Sequence, residues 1–271
     1  MSEIKTKENK NIDTVLWDRC VSRSQNGDVF GYSWFLDSVY EKWQGVVKGN
    51  YQAVMPLPVN AFLGLKFVKN YKFLNKIDIY SHKEISENDK RIFLETAKSF
   101  SKFITINSEN TTLANLSEKV KTFYSFKLDL IRPYKDIRHA EKDFIIKQIN
   151  SSESNKIFYN TGILPNGITL LSTLTKSLNR KNIDTLRRLS AVSMRRNLGQ
   201  IYGAFNDRNR LIAAVLFISS HYKVNIIHTV QTREAENKKA LTLDFFGLND
   251  FSEEFFKEIG AVKYPWYKIK L

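Results

Sequence analysis

The chain has 271 residues, 42% of them hydrophobic and 13% aromatic, and its 42 Lys and Arg against 28 Asp and Glu give a formal net charge of +14. This composition excludes a disordered chain, suits one large domain or two small ones, and favours an anionic partner such as nucleic acid, a phosphorylated cofactor or an anionic membrane surface. The single cysteine, Cys20, excludes an intramolecular disulfide framework and a zinc cage built from cysteines.

The abundant Asn, Ile and Lys also fit an AT-rich genome, so charge alone does not select a partner. The opening "MSEIKTKENKN" has no apolar core, and the longest apolar run, "LIAAVLFI", is far too short to span a bilayer. A soluble cytoplasmic protein with no membrane span is expected.

In chain order, "IDTVLWDRCVSRS" carries a helical stripe of Ile12, Val15, Leu16, Cys20 and Val21, which "NGD" breaks. "GYSWFLDSVYEKW" reads as a short helix or an aromatic loop. "GVVKG" and "YQAVMPLPV" read as a hairpin joined at "GN", with Pro56 and Pro58 at a strand end or edge. "SENDKRIFLETAKSFSKFI" predicts a helix capped by Ser86, with Phe93, Ala97, Phe100 and Ile104 at helical spacing. "FITIN" and "FYSFKLDL" follow as strands, and "IRPYKD" as a linker.

The second half begins with three predicted helices, "AEKDFIIKQIN", "LPNGITLLSTLTKSLN" and "IDTLRRLSAVSMRRN", the last ended by Gly199 as a C-cap. "QIYGAFN", "LIAAVLFISS" and "KVNIIHTVQ" then predict an antiparallel meander turning at "DRNR" and "HY". The chain closes with "LTLDFFGLN" as strand, "DFSEEFFKEIGA" as helix and "YPWYKIKL" as strand. Asp250 and Glu253 form a capping-box pattern, Phe251, Phe255 and Ile259 an apolar face, and Gly260 a stop.

The meander and this closing unit resemble the second half of a GNAT-type acyltransferase, and more narrowly the FemAB-like proteins built from two tandem GNAT-like halves. "YSWFLD", the Trp-Gly of "WQG" and "VMPLP" look like the N-terminal signature of a bacterial GNAT-like subgroup. The resemblance implies an α/β (α+β) fold of two tandem GNAT-like units, with mixed, largely antiparallel sheets flanked by helices, over residues 1–130 and 131–271. It also implies an N-acyltransferase moving an acyl or aminoacyl group onto an amine of a small molecule or peptide. Acyl-CoA or aminoacyl-tRNA would be the co-substrate, with no permanently bound cofactor. The alternative is a diverged, non-catalytic GNAT-fold binding protein that has lost CoA binding.

A GNAT enzyme holds the pyrophosphate of acyl-CoA at the N-terminus of a long helix after its fourth strand. Here only "QTREAENKKA", residues Gln231 to Ala240 and without a glycine, separates two predicted strands. A parallel crossover needs a dozen residues or more, so this cofactor-loop region is shortened. Within it Gln231, Arg233, Lys238 and Lys239 are the candidates to meet donor phosphates, the alternative being a solvated turn.

Asp244, mid-strand, and His228, in "NIIHTV", are the candidate general bases, by environment and by a near-neutral intrinsic pKa respectively. Each has a structural alternative as a hydrogen-bonded packing residue. Tyr32, Trp34 and Trp43 are candidates to line a substrate cleft or else to fill the core, and the family topology places Tyr267 and Lys268 at the same cleft. Lys176, Arg180, Lys181, Arg187, Arg188, Arg195 and Arg196, with Asp184 alone among them, would grip an anionic ligand such as CoA, a nucleotide-sugar or tRNA, or form a solvated face. No metal-ligand spacing is present.

Overall fold

The computed structural model of the chain describes residues 3–62, 65–69, 72–101, 103–117, 119–129, 156–237 and 261–271. The chain divides into two compact units. One comprises Met1–Phe123, Ser219–Lys223 and Pro265–Leu271, the other Tyr124–Ile218 and Val224–Tyr264. The first division falls after Phe123, where the sequence suggests Leu130. A hairpin tip and the end of the last strand return to the first unit.

The first unit begins with β1 (Ile4–Glu8) and α1 (Thr14–Ser22). The Asp13 side chain accepts from the backbone N–H groups of Val15 and Leu16 at 3.0 Å, satisfying two donors that a helix start leaves open. The buried face of α1 is Trp17, Cys20 and Val21, whereas Val15 is exposed. A 3-10 turn (Val29–Gly31) leads into α2 (Ser33–Val39), so "YSWFLD" is a helix start. Then come β2 (Trp43–Lys48), β3 (Ala53–Phe62), β4 (Leu65–Lys69) and β5 (Tyr80–Ser81).

β2 pairs antiparallel with β3 along its whole length. On the other side of β3, pairing with β5 stops at Val54 and pairing with β4 starts at Val59. Pro56 and Pro58 fall in that gap, where a strand is locally an edge and a missing N–H costs little.

Ser86 caps α3 (Glu87–Phe100), its hydroxyl accepting from the Asp89 N–H at 3.1 Å. Phe93 and Ala97 are buried on it, but Ile104 lies beyond the helix, in β6 (Phe103–Ser108). The extended break at Ser101 separates the two. α4 (Thr111–Asn115) and β7 (Lys119–Lys127) follow.

The second unit contains β8 (Phe158–Thr161), α5 (Pro165–Leu174), α6 (Arg180–Arg195), β9 (Gly199–Phe205), β10 (Leu211–Ser220), β11 (Lys223–Gln231) and the short α7 (Arg233–Asn237). Its sheet has the order β11-β10-β9-β8, the expected meander with one strand more than the sequence pattern shows. β8 is missed because all four of its residues are exposed and leave no alternation to read. Buried Ile157, Ala204, Ile212, Ala213 and Ala235 seat α7 on the sheet.

The C-cap of α6 corrects the reading of Gly199. The left-handed residue is Asn197, at φ 56°, and the Leu198 N–H closes the motif on the Ser193 carbonyl at 3.0 Å. Gly199 instead opens β9, where a Cβ would meet Ser193 Oγ.

β12 (Val262–Lys270) completes the described elements. It does not extend the second sheet. It pairs antiparallel with β6, in an eight-stranded sheet of order β1-β2-β3-β4-β6-β12-β7 with β5 beside β3. β4 and β6 are parallel and the remaining registered pairs antiparallel. The expected linker and helix at 131–155 and the strand and helix at 241–260 lie outside the described residues. No described helix is long and apolar enough to cross a membrane.

Candidate functional site

The most unusual chemistry of the first unit is a set of buried charges that no sequence motif announces. The segment "KIDIY" alternates Lys76, Asp78 and Tyr80 with Ile77 and Ile79, as a strand would, yet both sets are buried. It runs beside the end of β6, the Ile77 N–H donating to the Asn107 carbonyl at 2.8 Å. Glu109 follows β6 directly. Asp28, from the "NGD" that reads only as a helix breaker, enters from the loop before the 3-10 turn. Lys223 comes from the tip of the β10–β11 hairpin.

These elements gather around one ammonium group. Lys76 Nζ lies 3.6 Å from Asp28 Oδ2 and 3.7 Å from Glu109 Oε2, and Lys223 Nζ lies 3.8 Å from the same Asp28 oxygen. Lys223 also donates to the Gly27 carbonyl at 3.1 Å. Solvent reaches the group through the side chains of Glu109 (32% exposed) and Lys223 (41%), while Asp28 and Lys76 are closed off.

Burial pulls the Lys76 pKa down, but Asp28, Asp78 and Glu109 outweigh it and hold the ammonium above its ordinary value. Asp78 goes the other way. Burial raises its carboxyl pKa, and Lys76 and the Ile79 N–H only partly offset this. Burial, reinforced by the three carboxylates, pushes the Tyr80 phenol well above its usual range. The Tyr80 hydroxyl is fully buried and has no hydrogen-bond partner among the described residues, an arrangement that costs free energy unless something else satisfies it.

Two rings pack together at the hairpin tip that carries Lys223. Tyr32 and His221 have centroids 5.6 Å apart, and His221 packs on Gly27, where a Cβ would come within 2.3 Å of Nε2. His221 and Tyr222 both hold positive φ, at 51° and 56°, in the two-residue hairpin turn. Neither is the Asn or Gly such a turn prefers, so the tip carries a local cost that tertiary contacts must offset.

Of the sequence candidates, Tyr32 packs against His221 of the hairpin tip that also carries Lys223. β12 registers Tyr267 with Ser108, the residue before Glu109, and Lys268 with Asn107. Trp43 is not near a surface. It packs edge-on against Trp17 at 5.0 Å and donates from Nε1 to Asp37 Oδ1 at 2.8 Å, so the core reading describes it. Trp34 is buried against Phe35.

His228 belongs to the second unit, on β11. It is buried, with Nε2 3.0 Å from Ser172 Oγ on α5, as in the packing reading. Gln231 and Arg233 are exposed at the end of β11 and the start of α7. α7 begins almost at once after the strand, and its first-turn Ala235 N–H is already taken by Thr232 Oγ1 at 3.2 Å. Glu234 beside it accepts from Asn206 Nδ2 at 2.9 Å. Asp244, Lys238 and Lys239 lie outside the described residues. On α6, Arg180, Lys181, Arg187, Arg188 and Arg195 are exposed, with Asp184 pairing Arg187 at 3.3 Å. Among the described residues no three His, Cys, Asp or Glu side chains are grouped to hold a metal.

No family profile matches the chain, and no curated protein matches it in sequence. Solved structures do match in shape. FemX shares 9% identity at a TM-score of 0.60, over 98% of this chain and 97% of its own. L-PGS from Bacillus licheniformis shares 10% at 0.50, over 95% of this chain and 91% of its own. The chain thus has a GNAT-like fold of the FemAB type, in a mixed α/β architecture.

Proposed function

We propose that the protein transfers an acyl or aminoacyl group to the amine of a small molecule or peptide, and that the first unit receives that amine at Asp28 and Glu109. The observation that carries the reading is the Lys76 ammonium held between these two carboxylates at 3.6 and 3.7 Å. An environment that holds one ammonium in this way attracts a second at its solvent-facing carboxylate, Glu109. An acceptor arrives protonated and is inert until it loses a proton. Glu109 takes that proton, the amine attacks the donor carbonyl, and the thiol or ribose hydroxyl leaves with a proton. Tyr32 and Tyr267 are proposed to flank the acceptor.

The donor we favour is an aminoacyl-tRNA over acyl-CoA. Thr232 and Glu234 already occupy the start of α7, where a GNAT enzyme would bind pyrophosphate, and Glu234 would repel an anion there. The exposed arginines of α6 suit a polyanionic donor. The same crowded helix start favours a second reading, a binding protein that kept the fold and lost CoA.

The test is a transfer assay with both donors against a panel of amines, run on the parent and on Glu109→Gln. Transfer from aminoacyl-tRNA, with kcat reduced about 10²–10⁴-fold in the variant, supports the reading. Unchanged transfer by Glu109→Gln removes the base, and no transfer from either donor leaves the binding protein.

A further inference from the structure

The first unit carries a second feature that the transfer reading does not use. A cavity of about 480 Å³ opens between the end of α1, the β2–β3 turn and the segment after β5. Leu16, Cys20 and Ala53 are among its lining residues, and burial pushes the Cys20 thiol up to about 11. Its walls are cationic. Arg19 and Arg23 come from the last turn of α1, Lys48 from the end of β2 and Lys83 from beyond β5, with Glu84 the one acid in the lining.

Of these charges, Arg19, Arg23 and Lys83 are not spent on a described carboxylate. Lys48 is paired with Asp89 at 2.6 Å, but no described carboxylate lies within ion-pair distance of Arg19, Arg23 or Lys83. The carboxyl end of α1 accounts for Arg19 and Arg23, because cations complement a helix dipole there. It does not account for Lys83, which a separate segment brings to the same space. The lip is strained as well. Tyr51 holds φ 57° in the β2–β3 turn, a costly backbone for a residue with a Cβ, kept in place by its hydroxyl accepting from the Asp13 N–H at 2.7 Å.

We propose that this cavity binds a diphosphate group, with the two guanidiniums gripping its oxygens in bidentate fashion and Lys83 adding a point charge. The volume lies in the range of small-ligand sites and leaves room for an organic moiety on the diphosphate. It is separate from the Asp28–Lys76 group and needs no acyl donor or acceptor.

The test is calorimetric titration of the full chain with inorganic pyrophosphate and, separately, with ADP, neither donor nor acceptor being present. Millimolar or tighter binding is expected, weakened roughly tenfold or more in the double variant Arg19→Ala/Arg23→Ala by loss of charge-assisted hydrogen bonds. Arg187→Ala/Arg188→Ala on α6 should bind as the parent does. Tighter binding of ADP than of pyrophosphate marks an organic diphosphate as the ligand, and equal binding marks the inorganic ion. No binding of either probe at millimolar concentration overturns the proposal, as does binding that survives in the α1 variant and is lost in the α6 variant.

Discussion

The ring of Tyr80 lies so close over Gly31 that a Cβ at residue 31 would come within 2.7 Å of its Cε2 and Cζ atoms. The glycine is required there by space, because the phenol occupies the volume any side chain would need. Gly31→Ala must therefore push the ring or the 3-10 turn aside, and overpacking of this kind costs about 1–3 kcal/mol. Chemical denaturation checks it, and an unchanged midpoint would mean that Tyr80 moves freely.

The hydroxyl of the same ring supports a companion experiment. It is buried without a partner among the described residues, so Tyr80→Phe should leave stability unchanged or raise it by about 1 kcal/mol, since no described hydrogen bond is lost. A clear loss of stability would show that the hydroxyl is satisfied in solution, for example by water.

Lys76 stands between Asp28 and Glu109, with Asp78 close enough to act on it. Lys76→Ala takes the ammonium away from buried Asp28 and part-exposed Glu109, and breaking a buried pair in this way costs roughly 3–5 kcal/mol. Thermal unfolding at neutral pH should show the full effect. It should shrink in acid, where the carboxylates become protonated.

Asp78 has a pKa raised by burial, so it binds its proton more tightly folded than unfolded. Its contribution is complete below the unfolded carboxyl pKa of about 3.9 and is lost as pH rises toward the folded value. Asp78→Asn keeps the shape and removes that titration. The Tm of the variant relative to the parent should rise between pH 4 and pH 8, and a flat difference across that range would contradict the shift.

Lys176 holds φ 54° just after α5, in a cap where the Ser177 N–H reaches the Ser172 carbonyl at 3.1 Å. Glycine has no Cβ to strain in that conformation, so Lys176→Gly should stabilise the second unit by a few tenths to about 1 kcal/mol. Equilibrium denaturation would show it as a higher midpoint at unchanged slope.

The local elements were legible in the residues alone. Ser86 caps a helix as its neighbours require, the β2–β3 and β10–β11 hairpins turn where the sequence breaks, and α5 and α6 follow their apolar spacing. These features rest on bonds and contacts within a few residues, which is the range that composition and periodicity report. The GNAT-like resemblance added a fold that the match to FemX supports. What tertiary structure decided was of longer range. Nothing in "YPWYKIKL" specifies β6 as its partner, because a strand's pattern encodes its faces and not its neighbour. Asn197, and not Gly199, closes α6 because the backbone of the following strand takes the glycine. Asp28, Lys76, Asp78, Glu109 and Lys223 carry no spacing that links them, and each alone reads as a surface charge. Only folding takes Asp28, Lys76 and Asp78 out of water, with Glu109 and Lys223 left part-exposed beside them, and burial makes the pairing compulsory.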